Sequence, residues 1–241
     1  MTLRDFLYHE EDGIELYCGD CREVLPLLAS DSAGVVIADV PYNVGKDYGA
    51  HDDRMATQAY ETWLREVLTA SARVSRDAVL YFPGIVNVFG VAAVLGVTPL
   101  RPVRQLAWRR REFAGDSWGT GPAICWEPVV WASKADKAEW NRGVYGHMGR
   151  DFLDVPTVRF EPFRDEHPCV KPLLVMQWLI GLFAPEDLPV VDPCCGSGTT
   201  LEAARLLGRR AIGIEIEEKY CRIAKRRLAQ GVLSYYRDGV S

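Results

Sequence analysis

Four consecutive residues have the chemistry to hold an aromatic amine. Asp39-Val40-Pro41-Tyr42 follows the apolar run Val35-Val36-Ile37-Ala38. Proline fixes φ and leaves neighbouring carbonyls outside the ladder of a sheet. Asp39 supplies a carboxylate acceptor and Tyr42 a flat ring. A carboxylate and a backbone carbonyl can together accept both hydrogens of an exocyclic amine, while a ring stacks on the base that carries it. The same four residues would equally make a strand-ending turn with an Asp cap and a packed tyrosine.

A second segment could cradle a nucleotide-like ligand. Gly196-Ser197-Gly198 lies between the apolar run 189–191 and a helical pattern opening at Thr199. Glycine permits a tight bend and lets backbone approach a ligand closely. Glu215 ends the next apolar run, where an acidic side chain accepts hydrogen bonds from ribose hydroxyls. Leu201 stands where a dinucleotide fingerprint needs glycine or alanine, and no Gly-Lys-Ser/Thr sequence follows. Asp192, just before Cys194 and the turn, suits a cationic ligand better than a pyrophosphate. S-adenosylmethionine offers a ribose, a sulfonium and an amino group, and so fits. The plainer alternative is a tight strand–helix connection with a surface glutamate.

The elements that must position these turns follow from periodicity. Short apolar runs predict strands over 14–18, 35–38, 78–82, 102–108, 128–133, 189–191 and 211–215. Helical spacing predicts helices over 57–75, 86–95, 172–183, 199–207 and 217–229, the last with acids at its start and bases at its end. Residues 134–166 carry neither pattern. Strands alternating with long helices imply an α/β, doubly wound, mainly parallel sheet covered on both faces. Ligands of such sheets bind beyond the carboxyl ends of the strands, and both turns end strands.

Composition narrows the setting. The 241 residues are 48% hydrophobic and 25% charged, which excludes a disordered tail, a collagen-like fibre and a disulfide-dense module. One domain, residues 1–241, suits this length. Seven cysteines, an odd number, point to a reducing cytoplasm. The first residues lack a basic region followed by an apolar run, so no signal peptide is expected. The uncharged stretch 78–100 is cut by Pro83, Gly84, Gly90, Gly96 and Pro99, so a buried strand and a core helix explain it better than a membrane span. Cys18-x-x-Cys21 has no second pair at ligand spacing, and no metal site is expected. The net charge of −5 argues against nonspecific nucleic-acid binding.

Taken together, the motifs resemble the DNA amino-methyltransferases that modify adenine N6 or cytosine N4. Asp39-Val-Pro-Tyr42 is similar to the family's Asp/Asn/Ser-Pro-Pro-Tyr/Phe catalytic turn, with Val40 in place of the first proline. Residues 192–200 resemble its Phe-x-Gly-x-Gly cofactor region, with Cys194 where the family often has Phe. Leu16-Tyr-Cys-Gly-Asp20 resembles the opening strand whose aspartate contacts the cofactor adenine, and residues 126–134 resemble a late strand. His167-Pro-Cys-Val-Lys171-Pro resembles the His-Pro-Thr-Gln-Lys-Pro box, with Cys169 and Val170 as departures. The motif order looks like the permuted β group, in which the catalytic half precedes the cofactor half.

The resemblance implies a circularly permuted, seven-stranded methyltransferase sheet of Rossmann-like type. It divides the chain into a catalytic half (14–133), a small target-recognition insert (134–166) and a cofactor half (167–230). It implies Asp39, Pro41 and Tyr42 as catalytic residues acting on a flipped adenine by direct transfer. It implies Asp20, His167, Lys171, Asp192, Cys194, Gly196, Ser197, Gly198, Thr199 and Glu215 as the S-adenosylmethionine site. DNA is the implied substrate, in a bacterial, archaeal or phage-infected cytoplasm. A homodimer and a partner restriction endonuclease are both compatible with it.

Candidate phosphate contacts are Lys46, in the loop after the catalytic turn, and Arg104, Arg109, Arg110, Arg111 and Arg142. The arginine-rich stretch 101–111 could instead be a solvated strand. Asp at the head of the tetrapeptide favours adenine over cytosine. Cytosine N4 remains the alternative, beside a catalytically inactive relative that binds DNA or cofactor and a nucleotide-binding oxidoreductase.

Overall fold

The computed structural model describes residues 1–48, 53–110, 124–141, 150–155, 163, 166–167 and 169–230. Its strands are β1 (Leu7–Glu11), β2 (Ile14–Cys18), β3 (Ala33–Ala38), β4 (Ser75–Tyr81), β5 (Arg101–Arg110), β6 (Trp126–Ser133), β7 (Phe152–Val155), β8 (Val190–Asp192) and β9 (Ala211–Glu215). Its helices are α1 (Cys21–Val24), α2 (Thr57–Val74), α3 (Gly84–Asn87), α4 (Val91–Leu95), α5 (Leu173–Phe183), α6 (Thr199–Leu206) and α7 (Glu218–Ala229). All the strands join one sheet in the order β1-β2-β9-β8-β3-β4-β6-β5-β7.

The centre of the sheet is its most apolar strand. Every residue of β3, Ala-Gly-Val-Val-Ile-Ala, is buried, and β3 pairs in parallel with β4 on one side and β8 on the other. Successive side chains of a strand point to opposite faces. Val35 and Ile37 accordingly pack with the apolar face of α5 and with Leu201 and Ala204 of α6. Val36 and Ala38 pack with Tyr60, Leu64, Val67 and Leu68 of α2. The expected doubly wound, mainly parallel α/β architecture is present, with two apolar layers on one sheet.

The expected count of seven strands is corrected to nine among the described residues. The first unexpected strand, β1, pairs antiparallel with β2 across Asp12-Gly13. Both turn residues have positive φ, 51° and 78°, as a two-residue hairpin loop of the primed type requires. β1 is half-exposed and shows no clean alternation, so periodicity missed it. The second, β7, lies inside the stretch read as irregular and pairs in parallel with β5; its four residues are too few for a period. The helix expected over 86–95 is broken into α3, a 3₁₀ turn (Val88–Gly90) and α4. Among the described residues no helix is long and apolar enough to cross a membrane.

Candidate active site

Because β3 and β8 are parallel neighbours, the segments that leave their carboxyl ends emerge side by side. Asp39 follows the last residue of β3, and Asp192 is the last residue of β8. Both line one cavity of about 290 Å³, together with Tyr42, Lys171, Gly196 and Glu215. Two turns read separately in the sequence therefore form a single site at the switch between the sheet's halves.

The first turn is held from several sides. Val40 is 2% exposed and packs into the α2 layer, so an apolar contact occupies the place of the missing proline. The Tyr60 hydroxyl of α2 donates to the Pro41 carbonyl at 2.9 Å, and Asn87 Nδ2 at the end of α3 donates to the Tyr42 carbonyl at 2.8 Å. The loop beyond is organised by Asp53, a buried carboxylate that accepts backbone N–H bonds from Asn43, Val44 and Lys46 at 2.7–3.0 Å. The Tyr42 hydroxyl donates to Asp39 Oδ1 at 3.1 Å.

Lys171 belongs to this turn as well as to the cavity wall. Its Nζ lies 3.0 Å from Asp39 Oδ1 and donates to the Tyr42 hydroxyl at 2.9 Å. It also lies 3.7 Å from Glu127 Oε2. Burial pushes the Asp39 carboxyl above its ordinary range, and the Lys171 ammonium opposes that. Burial alone would depress Lys171, but Asp39, Tyr42 and Glu127 together outweigh it and hold the ammonium firmly charged.

The second turn needs its glycines. Gly196 and Gly198 have φ of +51° and +81°, and a Cβ on Gly196 would come within 2.7 Å of His167 Nε2. Gly196 N–H donates to Glu215 Oε2 at 2.9 Å, and Glu217 N–H donates to Oε1 at 2.8 Å. Asp192 Oδ1 accepts from Cys194 N–H at 3.0 Å. Burial raises both Asp192 and Glu215 to about 7, against smaller opposing effects of these hydrogen bonds. His167 is driven down to about 4 by burial and then by the Lys171 charge, so it is neutral at pH 7. Its Nδ1 accepts from Cys169 N–H at 3.1 Å, which leaves the proton on Nε2.

These residues suit a cationic donor that carries ribose hydroxyls. Asp192 and Glu215 are buried acceptors on the cavity wall, while Lys171 is committed to Asp39 and Glu127. Ser197, Thr199 and Cys194 line the same wall, and Gly198 caps α6. Asp20 lines it too, but also caps α1 at the Arg22 N–H and pairs with the Arg22 guanidinium at 2.7 Å.

Of the expected phosphate contacts, Arg104 and Arg109 pair with acids and Lys46 reaches a residue of the cavity wall. Arg104 pairs with Asp151 at 3.3 Å and Arg109 with Asp154 at 3.8 Å, across the β5–β7 edge. Lys46 Nζ donates to Cys169 Sγ at 2.7 Å. Arg111 and Arg142 lie outside the described residues, and of Arg110 only the strand backbone is described. Sequence reasoning missed Glu127, Tyr60, Asn87 and Asp53. Glu127, just ahead of Pro128 in β6, was within the resemblance but carried no recognisable role; Tyr60 and Asn87 act through contacts distant in sequence, and Asp53 through a loop whose turns the spacing of residues does not reveal. Cys18 and Cys21 turn to different neighbours, Cys221 and Cys194.

The comparisons agree with this geometry. A family model described as DNA methylase, of the N6/N4 type, matches residues 34–226. The chain is 25% identical to the type II methyltransferase M2.LlaDCHI of Lactococcus lactis subsp. cremoris, covering 93% of this chain and 92% of that protein. It is 26% identical to M2.DpnII of Streptococcus pneumoniae, covering 92% and 91%. Among solved structures it superposes on the cytosine-N4-specific PvuII DNA methyltransferase with a TM-score of 0.75 at 16% identity, over 95% of this chain and 88% of that one. It superposes on an S-adenosylmethionine complex of M1.HpyAVI with a TM-score of 0.67 at 22% identity, over 89% and 98%. With four-fifths of its length matched by the family model and both turns facing one cavity, the chain belongs to the N6/N4 DNA methylase family.

Proposed function

We propose that this DNA methyltransferase transfers a methyl group from S-adenosylmethionine to the N6 amino group of adenine in DNA. The observation that carries the reading is the meeting of the Asp39 turn with the Asp192–Glu215 wall in one cavity. Residues 14–133 form the catalytic half, 134–166 the target-recognition insert and 167–230 the cofactor half.

The donor, when bound, supplies an electrophilic methyl on a positively charged sulfur. Asp192 and Glu215 hold its cationic and hydroxyl groups, and the glycine turn lets backbone close on it. The target base leaves the duplex at a cost of about a few kcal/mol and enters against Tyr42. Both contacts on the Asp39 carboxylate fall on Oδ1, and no hydrogen bond is made to Oδ2 among the described residues. Oδ2 accepts one amine hydrogen. The Pro41 carbonyl is already engaged by Tyr60, so the Val40 carbonyl accepts the other. Held in this way, the nitrogen lone pair leaves conjugation with the ring and lies in line with the methyl. S-adenosylmethionine would supply the methyl carbon for the new N–C bond and leave as the neutral thioether, and the surplus proton on nitrogen would pass to Asp39 and then to water. Alignment of the two reactants supplies much of the acceleration.

Tritium-methyl transfer to unmethylated DNA, followed by nucleoside mass spectrometry, tests the reading. N6-methyladenine is expected, with Asp39→Ala reducing transfer by about three orders of magnitude or more while cofactor binding persists. N4-methylcytosine would replace the target assignment, and unimpaired Asp39→Ala would remove the mechanism.

A further inference from the structure

Lys171 comes from the far half of the chain, just before α5, yet its ammonium sits on the proposed catalytic turn. The side chain is 8% exposed. Its Nζ is 3.0 Å from Asp39 Oδ1, 2.9 Å from the Tyr42 hydroxyl and 3.7 Å from Glu127 Oε2. It also lies 5.0 Å and 5.5 Å from the ring centres of Tyr42 and Phe82. The family resemblance implied a cofactor role for this residue; its polar contacts here are with the Asp39 turn and Glu127.

We infer that Lys171 and Glu127 are a positioning pair for the methyl acceptor. Lys171 keeps Asp39 ionised and fixes its Oδ1, while Glu127 keeps the cluster negative overall. The inference rests on Asp39 being the group that holds the amine.

The physical argument has two steps. A carboxylate buried without a cation takes up a proton, and a protonated Asp39 would offer a donor where the amine needs an acceptor. The groups facing Asp39 are Tyr42 on its own turn, Tyr48 on the following loop, Glu127 on β6, Asp192 on β8 and Lys171 before α5. Of these only Lys171 is a cation, and its charge is the main influence opposing burial, with a smaller one from the Tyr42 hydrogen bond. A lysine paired with Asp39 alone would cancel its charge, however, and the nitrogen becomes positive as the methyl arrives. The second carboxylate, Glu127, leaves the trio with a net charge of about −1, which attracts that nitrogen. The trio meets both needs.

Single-turnover rates on unmethylated duplex DNA, measured from pH 5 to pH 10, test the pair in the full-length enzyme. In Lys171→Met the acid limb should move up by about one to three pH units, with the rate recovering toward wild type at high pH. S-adenosylmethionine affinity should stay within about threefold of wild type, and Lys171→Arg should restore the wild-type limb. In Glu127→Gln the limb should move down while the plateau rate falls about tenfold or more. If Lys171→Met does not fold, Lys171→Arg and Glu127→Gln carry the test. An unmoved limb in Lys171→Met or in Glu127→Gln overturns the pair, as does a collapse of cofactor affinity with the rate at saturation preserved. Full activity of Asp39→Ala would instead overturn the underlying reading, whatever the Lys171 profile.

Discussion

At the scale of residues the site is built from groups whose charges burial has made conditional. Asp192 and Glu215 sit near 7 rather than in the usual carboxylate range, because desolvation penalises their ionised forms. A carboxyl raised in the folded state contributes stability that is full below its unfolded value, near 4, and is lost as pH rises through 7. These two groups should therefore make the protein without cofactor less stable at pH 8 than at pH 6, as thermal melts can read. A cationic ligand favours the ionised forms, so S-adenosylmethionine affinity should rise about tenfold between pH 6 and pH 8. Calorimetry in two buffers at pH 6.5 should show proton release on binding. Affinity that is flat with pH would contradict the placement of the cation beside these carboxylates. At Gly196, φ of +51° and the approach of His167 leave no room for a Cβ. Gly196→Ala should cost about 1–3 kcal/mol and weaken cofactor binding, both readable by denaturant melts with and without ligand.

At the scale of elements the cofactor turn is braced by a buried ion pair. Arg227 of α7 and Glu202 of α6 are fully buried, with Nη1 2.9 Å from Glu202 Oε2. Arg227 Nε also donates to the Ser197 carbonyl at 2.8 Å, tying the turn to both helices. Removing one partner leaves an uncompensated buried charge, so Arg227→Met should destabilise the fold by about 3–5 kcal/mol. Adding Glu202→Met should recover much of that loss in urea unfolding. A double variant no more stable than the single would show that the Ser197 contact, rather than the charge, is what matters. On the other side of the cavity, Tyr60 plays the comparable part for the catalytic turn. Tyr60→Phe removes the hydrogen bond to the Pro41 carbonyl and the contact with the Tyr81 hydroxyl, and should cost about 1–3 kcal/mol, with a slower transfer step in single-turnover assays.

At the scale of the whole molecule the distribution of charge bears on how DNA is held. The arginines of β5 looked like a phosphate-binding strip, but Arg101, Arg104 and Arg109 each lie near an aspartate, Asp136, Asp151 and Asp154. Each pair is exposed, so its contribution to stability is small, yet it offsets the positive field a phosphate would meet. A free phosphate contact changes the slope of log affinity against log salt by about 0.9. Arg104→Ala should change that slope by clearly less, as filter binding or anisotropy at several salt concentrations would reveal. A full change of 0.9 would restore Arg104 as a phosphate ligand. Among the described side chains of this strand, Arg101, Arg104 and Arg109 thus do not form a bare basic strip within the net charge of −5.

Sequence alone determined the local chemistry: which strands end in Asp39 and Asp192, why the second turn needs glycine, and that the sheet is doubly wound. Those features depend on residues adjacent in the chain, whose periodicity and backbone preferences act over a few positions. Hairpin strand β1 leaves one local signal, the Asp12-Gly13 turn, but its neighbours do not alternate. Only the tertiary structure decided that Lys171 answers Asp39 across most of the chain, and that Glu127 joins it. Only the fold could show that Val40 is held by core packing, and that Arg104 and Arg109 are paired with acids. These outcomes hang on distances between elements, and those are set by how β3 and β8 pair and how two apolar layers close on one sheet. The protonation states of the site follow from the same burial, which no spacing of residues along a chain encodes.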